Sequence, residues 1–356
     1  MVRELLPLIG IILACCGCDT QTSDPKATSN HAEHVTEAPT SPVPKADASL
    51  AADNEKSRTD NLSTPSADET QYISFPAAGV KLVRPEGFDD AENFHGFQQA
   101  STQSSVMVLM IPGPFSETTG GFTAERLKTR GMTLGSKGNV EIDGNAGVLI
   151  SLVQTANGTE FAKWIVAFGD EEETRMVTAT FPKIHESTLS AQLKSVVLST
   201  RLDIAPPPTP GADVGFTIVA SDKVKIARGV GKMLMYTKDG IVPAKSPEDP
   251  LFIAAPSFSE VSIADKRQFS VQRLFQTAHT KITSVTTTNE ITIDGLDGYE
   301  LVADAADADS GAPLVVYQVV LFDGVSYLLI QGLVGASVSA EYLPEFKAMA
   351  RSLKRK

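Results

Sequence analysis

One short pattern occurs twice in this chain, as Val140-Glu141-Ile142-Asp143-Gly144-Asn145-Ala146-Gly147 and as Ile291-Thr292-Ile293-Asp294-Gly295-Leu296-Asp297-Gly298. Each copy reads as a strand, a tight turn and a second strand. Asp-Gly between alternating apolar residues is a hairpin signal, because glycine takes positive φ without steric cost and aspartate tolerates it. Two such hairpins, about 150 residues apart in a chain of 356 residues, predict two domains with one hairpin at the centre of each.

The likeness of the halves reaches beyond the hairpins. Upstream, an apolar strand over 106–112 followed by Phe115 corresponds to 251–256 followed by Phe258, each stopped by proline. Phe122-Thr123-Ala124-Glu125-Arg126-Leu127 then matches Phe269-Ser270-Val271-Gln272-Arg273-Leu274, with Thr123 and Ser270 placed as N-caps of a helix. Downstream, Trp164-Ile165-Val166-Ala167-Phe168 pairs with Tyr317-Gln318-Val319-Val320-Leu321-Phe322, and a further strand follows over 176–181 and 327–333. Each half closes on an amphipathic helix, near 189–198 and near 342–353. Strand, helix, hairpin, hairpin, helix is thus repeated, and Ala205-Pro206-Pro207-Pro208-Thr209-Pro210-Gly211 is the stiff spacer between copies.

The N-terminal portion is of another kind. Residues 19–71 contain no Phe, Tyr or Trp, so they are expected to be disordered for want of apolar surface to offset ordering entropy. Before them, Arg3 precedes an apolar run over 5–14 that is too short to span a bilayer and reads as a signal-peptide core. Its end, Ile12-Leu13-Ala14-Cys15, resembles the bacterial lipobox, with Cys18 after Gly17 as the alternative acylated residue and an ordinary cleaved signal peptide as the plainer reading. The resemblance implies two or three acyl chains and stable membrane attachment. The flexible segment would then be a tether averaging roughly 40 Å end to end. The expected organisation is 1–18 signal peptide and lipobox, 19–71 disordered linker, 72–203 first domain, 204–213 Pro-rich spacer and 214–356 second domain.

The net charge of −12 argues against a nucleic-acid partner, since phosphate recognition needs a basic footprint. The linker, with ten acidic residues against four basic ones, carries half of that charge. The basic end, Arg351, Lys354, Arg355 and Lys356, is expected to complement a helix C-terminus rather than to bind a ligand. The three cysteines are Cys15, Cys16 and Cys18, so neither domain has a disulfide, a cysteine metal site or a thiol nucleophile.

Leu82-Val83-Arg84-Pro85-Glu86-Gly87-Phe88, followed by Ile142-Asp143-Gly144 and a terminal helix over 193–200, resembles the Mog1/PsbP-like superfamily. The resemblance covers 72–203. The second half, 214–356, departs at its start, where Gly215-Phe216-Thr217-Ile218 lacks the Pro-Gly turn. It implies an α+β fold in each domain, an antiparallel sheet with helices on both faces (an α/β/α sandwich). It also implies a bacterial lipoprotein with accessory or binding roles more often than catalysis. The family has no general catalytic motif to carry over.

Asp304, Asp307 and Asp309 imitate part of a calcium loop but lack the glutamate at its twelfth position, so a solvated turn is expected. Gly169-Asp170-Glu171-Glu172-Glu173 reads as a second acidic turn, and His31 and His34 lie in the linker without further ligands. Gly229-Val230-Gly231 imitates a phosphate loop, with Leu234 where its third glycine belongs. His95, His185 and His279 occupy unmatched places in the repeats, and none stands beside a nucleophile elbow. Arg126 and Arg273 recur in one register and are candidates for an anion or partner contact, against an intradomain ion pair. No cofactor, metal site or catalytic residue is expected. The favoured reading is a lipid-anchored, extracytoplasmic, periplasmic-side protein that binds a protein partner in the cell envelope or assists an assembly. The alternatives are a hydrolase with Asp143, Asp294 or the arginines in an inter-domain groove, and a carrier with an apolar cavity beneath a helix.

Overall fold

The computed structural model describes residues 71–356 except 157, 228, 243, 247 and 259–261. The signal peptide, Cys15, Cys18, the histidine pair of the linker and nearly all of the linker lie outside the described residues.

The first half runs β1 (Tyr72–Phe75), β2 (Val80–Val83), β3 (Asp89–Asp90), β4 (Gly96–Gln99), β5 (Ser104–Pro112), α1 (Phe115–Gly120) and α2 (Ala124–Lys128). It continues through β6 (Met132–Ile142), β7 (Asn145–Ala156), β8 (Thr159–Gly169), β9 (Glu173–Pro182), α3 (Glu186–Leu198) and β10 (Arg201–Leu202). The second half runs β11 (Phe216–Thr217), β12 (Lys225–Ile226), β13 (Leu234–Thr237), β14 (Leu251–Pro256) and α4 (Lys266–Phe275). It ends with β15 (Thr280–Ile293), β16 (Leu296–Asp307), β17 (Pro313–Asp323), β18 (Ser326–Gly335), α5 (Ser339–Arg351) and β19 (Lys354–Arg355).

These strands form two antiparallel seven-stranded sheets of the same order, β3-β4-β5-β9-β8-β7-β6 and β12-β13-β14-β18-β17-β16-β15. Among the described residues no strand passes from one large sheet to the other, so the halves are two β-rich domains repeating one topology. The strand after each terminal helix joins a strand near the start of its own half, as β10 on β2 and β19 on β11. The halves differ at this start: β1 and β2 pair as a hairpin, whereas β11 has only two residues and no such partner. The hairpin turns through Pro76–Ala78, where Gly79 at φ 62° donates its N–H to Pro76 O at 3.1 Å, and the Pro-Gly turn comes after β2, with Gly87 at φ 77° and Phe88 N–H closing on Pro85 O at 3.2 Å.

Both Asp-Gly hairpins take the expected form. Asp143 and Gly144 lie at φ 50° and 80°, and Asp294 and Gly295 at φ 51° and 78°, positive at both central positions as a type I′ turn requires. The glycine that ends each motif has a different reason. A Cβ at Gly147 would lie 2.8 Å from Ala167 O, and one at Gly298 would overlap Val320 O, so the neighbouring strand comes too close for a side chain.

The central strands are buried on both faces. In β5, Val106, Val108 and Met110 point into a core roofed by α3 through Leu189, Leu193, Val196 and Val197. In the second domain, Tyr342, Phe346, Met349 and Ala350 of α5 cover the corresponding face. The opposite faces depart from the expected pair of helical layers. In the second domain α4, ten residues long, covers part of that face with Phe269 and Leu274. In the first domain α1 and α2 have six and five residues, too short to cover the sheet, and the second domain completes the cover.

The helix starts also differ from the paired N-caps read in the sequence. Thr123 caps α2, its Oγ1 accepting from Arg126 N–H at 3.4 Å. Ser270 does not cap α4. It lies inside that helix and donates to Lys266 O at 2.8 Å, while Asp265 is the N-cap, accepting from Gln268 N–H at 2.9 Å. An aspartate caps as well as serine and its charge favours the helix N-terminus, so α4 starts a turn earlier and carries Phe269 into the core.

Candidate functional site

The most distinctive feature is the seam between the domains. The second face of β5 supplies Met107, Leu109 and Ile111, its counterpart β14 supplies Ile253 and Ala255, and Met235 of β13 with Met233 just before that strand joins them; all belong to one buried cluster. Ala91 and Phe94 from the β3–β4 loop, and Ala227 and Val230 from the β12–β13 loop, also belong to it, and it runs on through Leu127, Met132, Ile150 and Ile165 of the first domain, each at most 9% exposed. Phe94 and Phe258 meet with ring centroids 6.4 Å apart. Burying this much apolar surface at about 25 cal/mol per Å² gives the halves one continuous core.

Polar groups bracket the seam. Lys232 Nζ donates to Ala91 O at 3.3 Å and also to Glu92 O. His95 and Asp213 are hydrogen-bonded, with side chains 10% and 36% exposed. The bond from His95 holds the Asp213 carboxyl below its usual range, against the opposing effect of burial and with help from Lys232. Gly229-Val230-Gly231 thus has an inter-domain role: Val230 bridges to Met233 as a small β-turn and is 3% exposed, and a Cβ at Gly231 would stand 3.2 Å from Leu109 Cδ2.

The residues singled out in the sequence do not converge. Arg126 is exposed on α2, while Arg273 on α4 donates to Gln276 Oε1 at 2.8 Å and lies 5.8 Å from the Tyr327 ring centroid. Asp143 Oδ2 accepts from Leu202 N–H at 3.1 Å, and Asp294 Oδ2 from Arg355 N–H at 2.9 Å. The two hairpin aspartates thus hold the strand that follows the terminal helix, each in its own domain. Lys354 and Arg355 also pair with Asp294, so these basic residues lie in β19 and are neutralised there, beyond the helix end they were expected to complement.

Asp307 Oδ1 accepts from the amides of Asp309 and Ser310 at 3.2 and 2.7 Å and from Ser310 Oγ at 2.6 Å, and Asp304 Oδ2 accepts from Ser284 Oγ at 3.0 Å. Asp170 Oδ1 accepts from the amides of Glu172 and Glu173 at 2.8 and 2.9 Å, which holds its carboxyl low. Both acidic loops are therefore turns closed on their own carboxylates. His279 faces Asp309 at 3.5 Å, and the His185 carbonyl accepts from Thr188 Oγ1 at 3.0 Å.

Two buried polar clusters lie in the second domain. Glu300, 4% exposed, accepts from Tyr317 OH at 2.9 Å and pairs with Arg351 at 3.0 Å, tying the end of α5 to the sheet. Gln331 Nε2 reaches Gln318 Oε1 at 2.9 Å and Thr277 Oγ1 at 3.0 Å, and Gln318 Nε2 donates to Ser270 O at 2.7 Å. Sequence reasoning missed these clusters and the polar bracket of the seam. Apolar alternation on both faces of β5 and β14, with the matched Phe115 and Phe258, was the available signal.

No protein-family model matches the chain, and no curated protein matches it. Solved structures similar to it include cyanobacterial PsbP from Synechocystis, at 12% identity and a TM-score of 0.30 over 37% of this chain and 91% of that one. LpqN of Mycobacterium tuberculosis, described as involved in cell envelope biogenesis, matches at 13% identity and a TM-score of 0.32 over 41% of this chain and 88% of that one. The immunity protein TplEi of Pseudomonas aeruginosa matches at 13% identity and a TM-score of 0.30, over 81% of this chain and 98% of that one. At such TM-scores none of these likenesses bears on what this chain binds.

Proposed function

We propose that the chain is a lipid-anchored, extracytoplasmic binding or assembly-accessory protein that performs no chemistry and presents its two domains to a protein partner as one body. The observation that carries the reading is the filled seam, because an inter-domain groove is where a shared catalytic site would lie and Leu109, Val230, Met235 and Ile253 occupy that space. Asp143 and Asp294, the carboxylates a hydrolase reading would use, are engaged with backbone amides of β10 and β19. The anchor rests on the apolar run and on Cys15, with Cys18 as the alternative.

Cross-linking in intact cells, followed by affinity purification of the full chain from detergent-solubilised membranes, tests the function. Recovery of a stoichiometric protein partner supports it, and failure to recover one under several detergent and cross-linker conditions overturns it. Metabolic labelling with a fatty acid tests the anchor: Cys15→Ser is expected to abolish incorporation, whereas loss only in Cys18→Ser moves the anchor to that residue.

A further inference from the structure

The seam is built from the same parts on both sides. The loop between the third and fourth strands of one domain, Ala91 to His95, meets the loop at the same place in the other, where Lys232 donates to the carbonyls of Ala91 and Glu92. Gly231 of the second domain's loop lies against Leu109 of β5. On the other side, Phe94 of the first domain's loop meets Phe258, just beyond β14, and Ile253, at the place in β14 that Leu109 holds in β5, lies in the same buried cluster. Phe115, the counterpart of Phe258 in the first half, packs on the same cluster. An interface in which the same patch of both partners is used, so that i touches j and j touches i, is the isologous arrangement of twofold dimers.

We infer that the seam is a dimer-type interface closed within one chain, and that the partner each domain's patch fits is another domain of this same fold. The linker then sets the local concentration of the two patches and need not orient them. The interface should hold without it. His95–Asp213 lies outside the reciprocal set, since Asp213 belongs to the entry into the second domain.

The test uses the full folded chain with a protease site placed within 206–210. After complete cleavage, native mass spectrometry and size-exclusion chromatography at serial dilution are expected to show both halves travelling together at a 1:1 ratio. Leu109→Ala and Ile253→Ala, one on each side of the patch, are each expected to raise the dissociation constant of the nicked protein roughly thirtyfold or more. Should either variant misfold, Lys232→Ala, which removes the hydrogen bonds to Ala91 O and Glu92 O without opening the apolar cluster, gives a second reading and is expected to weaken association about tenfold. Halves that separate on nicking while retaining their circular dichroism overturn the inference. Equal retention with wild-type affinity in all three variants also overturns it.

Discussion

Asp143 and Asp294 each perform two tasks, setting a left-handed turn and receiving the amide of a strand that follows 59 and 61 residues later. The first task is written in the local dipeptide; the second is not, because nothing in a six-residue window says which distant amide will arrive. Asp143→Ala is expected to cost about 1 kcal/mol, one backbone hydrogen bond, measured by urea unfolding. For Asp294 the dependence on pH is the sharper test. The Arg355 amide, together with Lys354, holds its carboxyl below the ordinary value of 3.8. The stabilisation is therefore complete above that value and is lost as pH falls from it through the lower folded value. In thermal melts at descending pH, the wild type should stand above Asp294→Asn near neutrality, with the gap closing below about pH 4. An unchanged gap down to pH 2.5 would contradict the assignment.

Elements show where the repeat was legible and where it was not. The strands could be read because alternation and Asp-Gly turns are local, and the order of elements in both halves follows from them. The start of α4 could not be read from the repeat alone, since matching Ser270 to Thr123 ignores Asp265, which captures the cap one turn earlier. The length of that helix has a consequence: α4 covers its sheet with Phe269 and Leu274, whereas the five-residue α2 leaves its sheet to be covered by the other domain. Close approach of strands is testable at the same scale. Gly298→Ala, forced against Val320 O, is expected to cost about 1–3 kcal/mol by guanidinium unfolding. Gln331→Leu should cost about 1–3 kcal/mol by removing a buried donor that satisfies Gln318 and Thr277. A double variant with Thr277→Val would recover part of that loss.

Across the whole molecule, the seam gives two repeated domains a shared buried cluster, and they are expected to unfold together. Differential scanning calorimetry of the folded region should show a single transition whose calorimetric and van't Hoff enthalpies agree. Two resolved peaks would mean that the shared core does not couple the halves. Sequence gave no direct view of this coupling, because a residue that packs against another domain alternates along its strand just as one that packs against a helix does. Met107, Met132, Met176, Met233 and Met235 all fall in the seam cluster. Their adaptable side chains suit a core drawn from both halves.

Because each sheet uses its β3 or β12 side at the seam, its opposite margin is β6 or β15, and β15 runs for fourteen residues at the rim. A margin of that length is a ready template on which stray extended chains could zip. Register breaks near Ser284 and Thr287 in β15, and near Ser136 in β6, crimp that margin. Such crimps deny neighbouring copies a straight rail along which to stack.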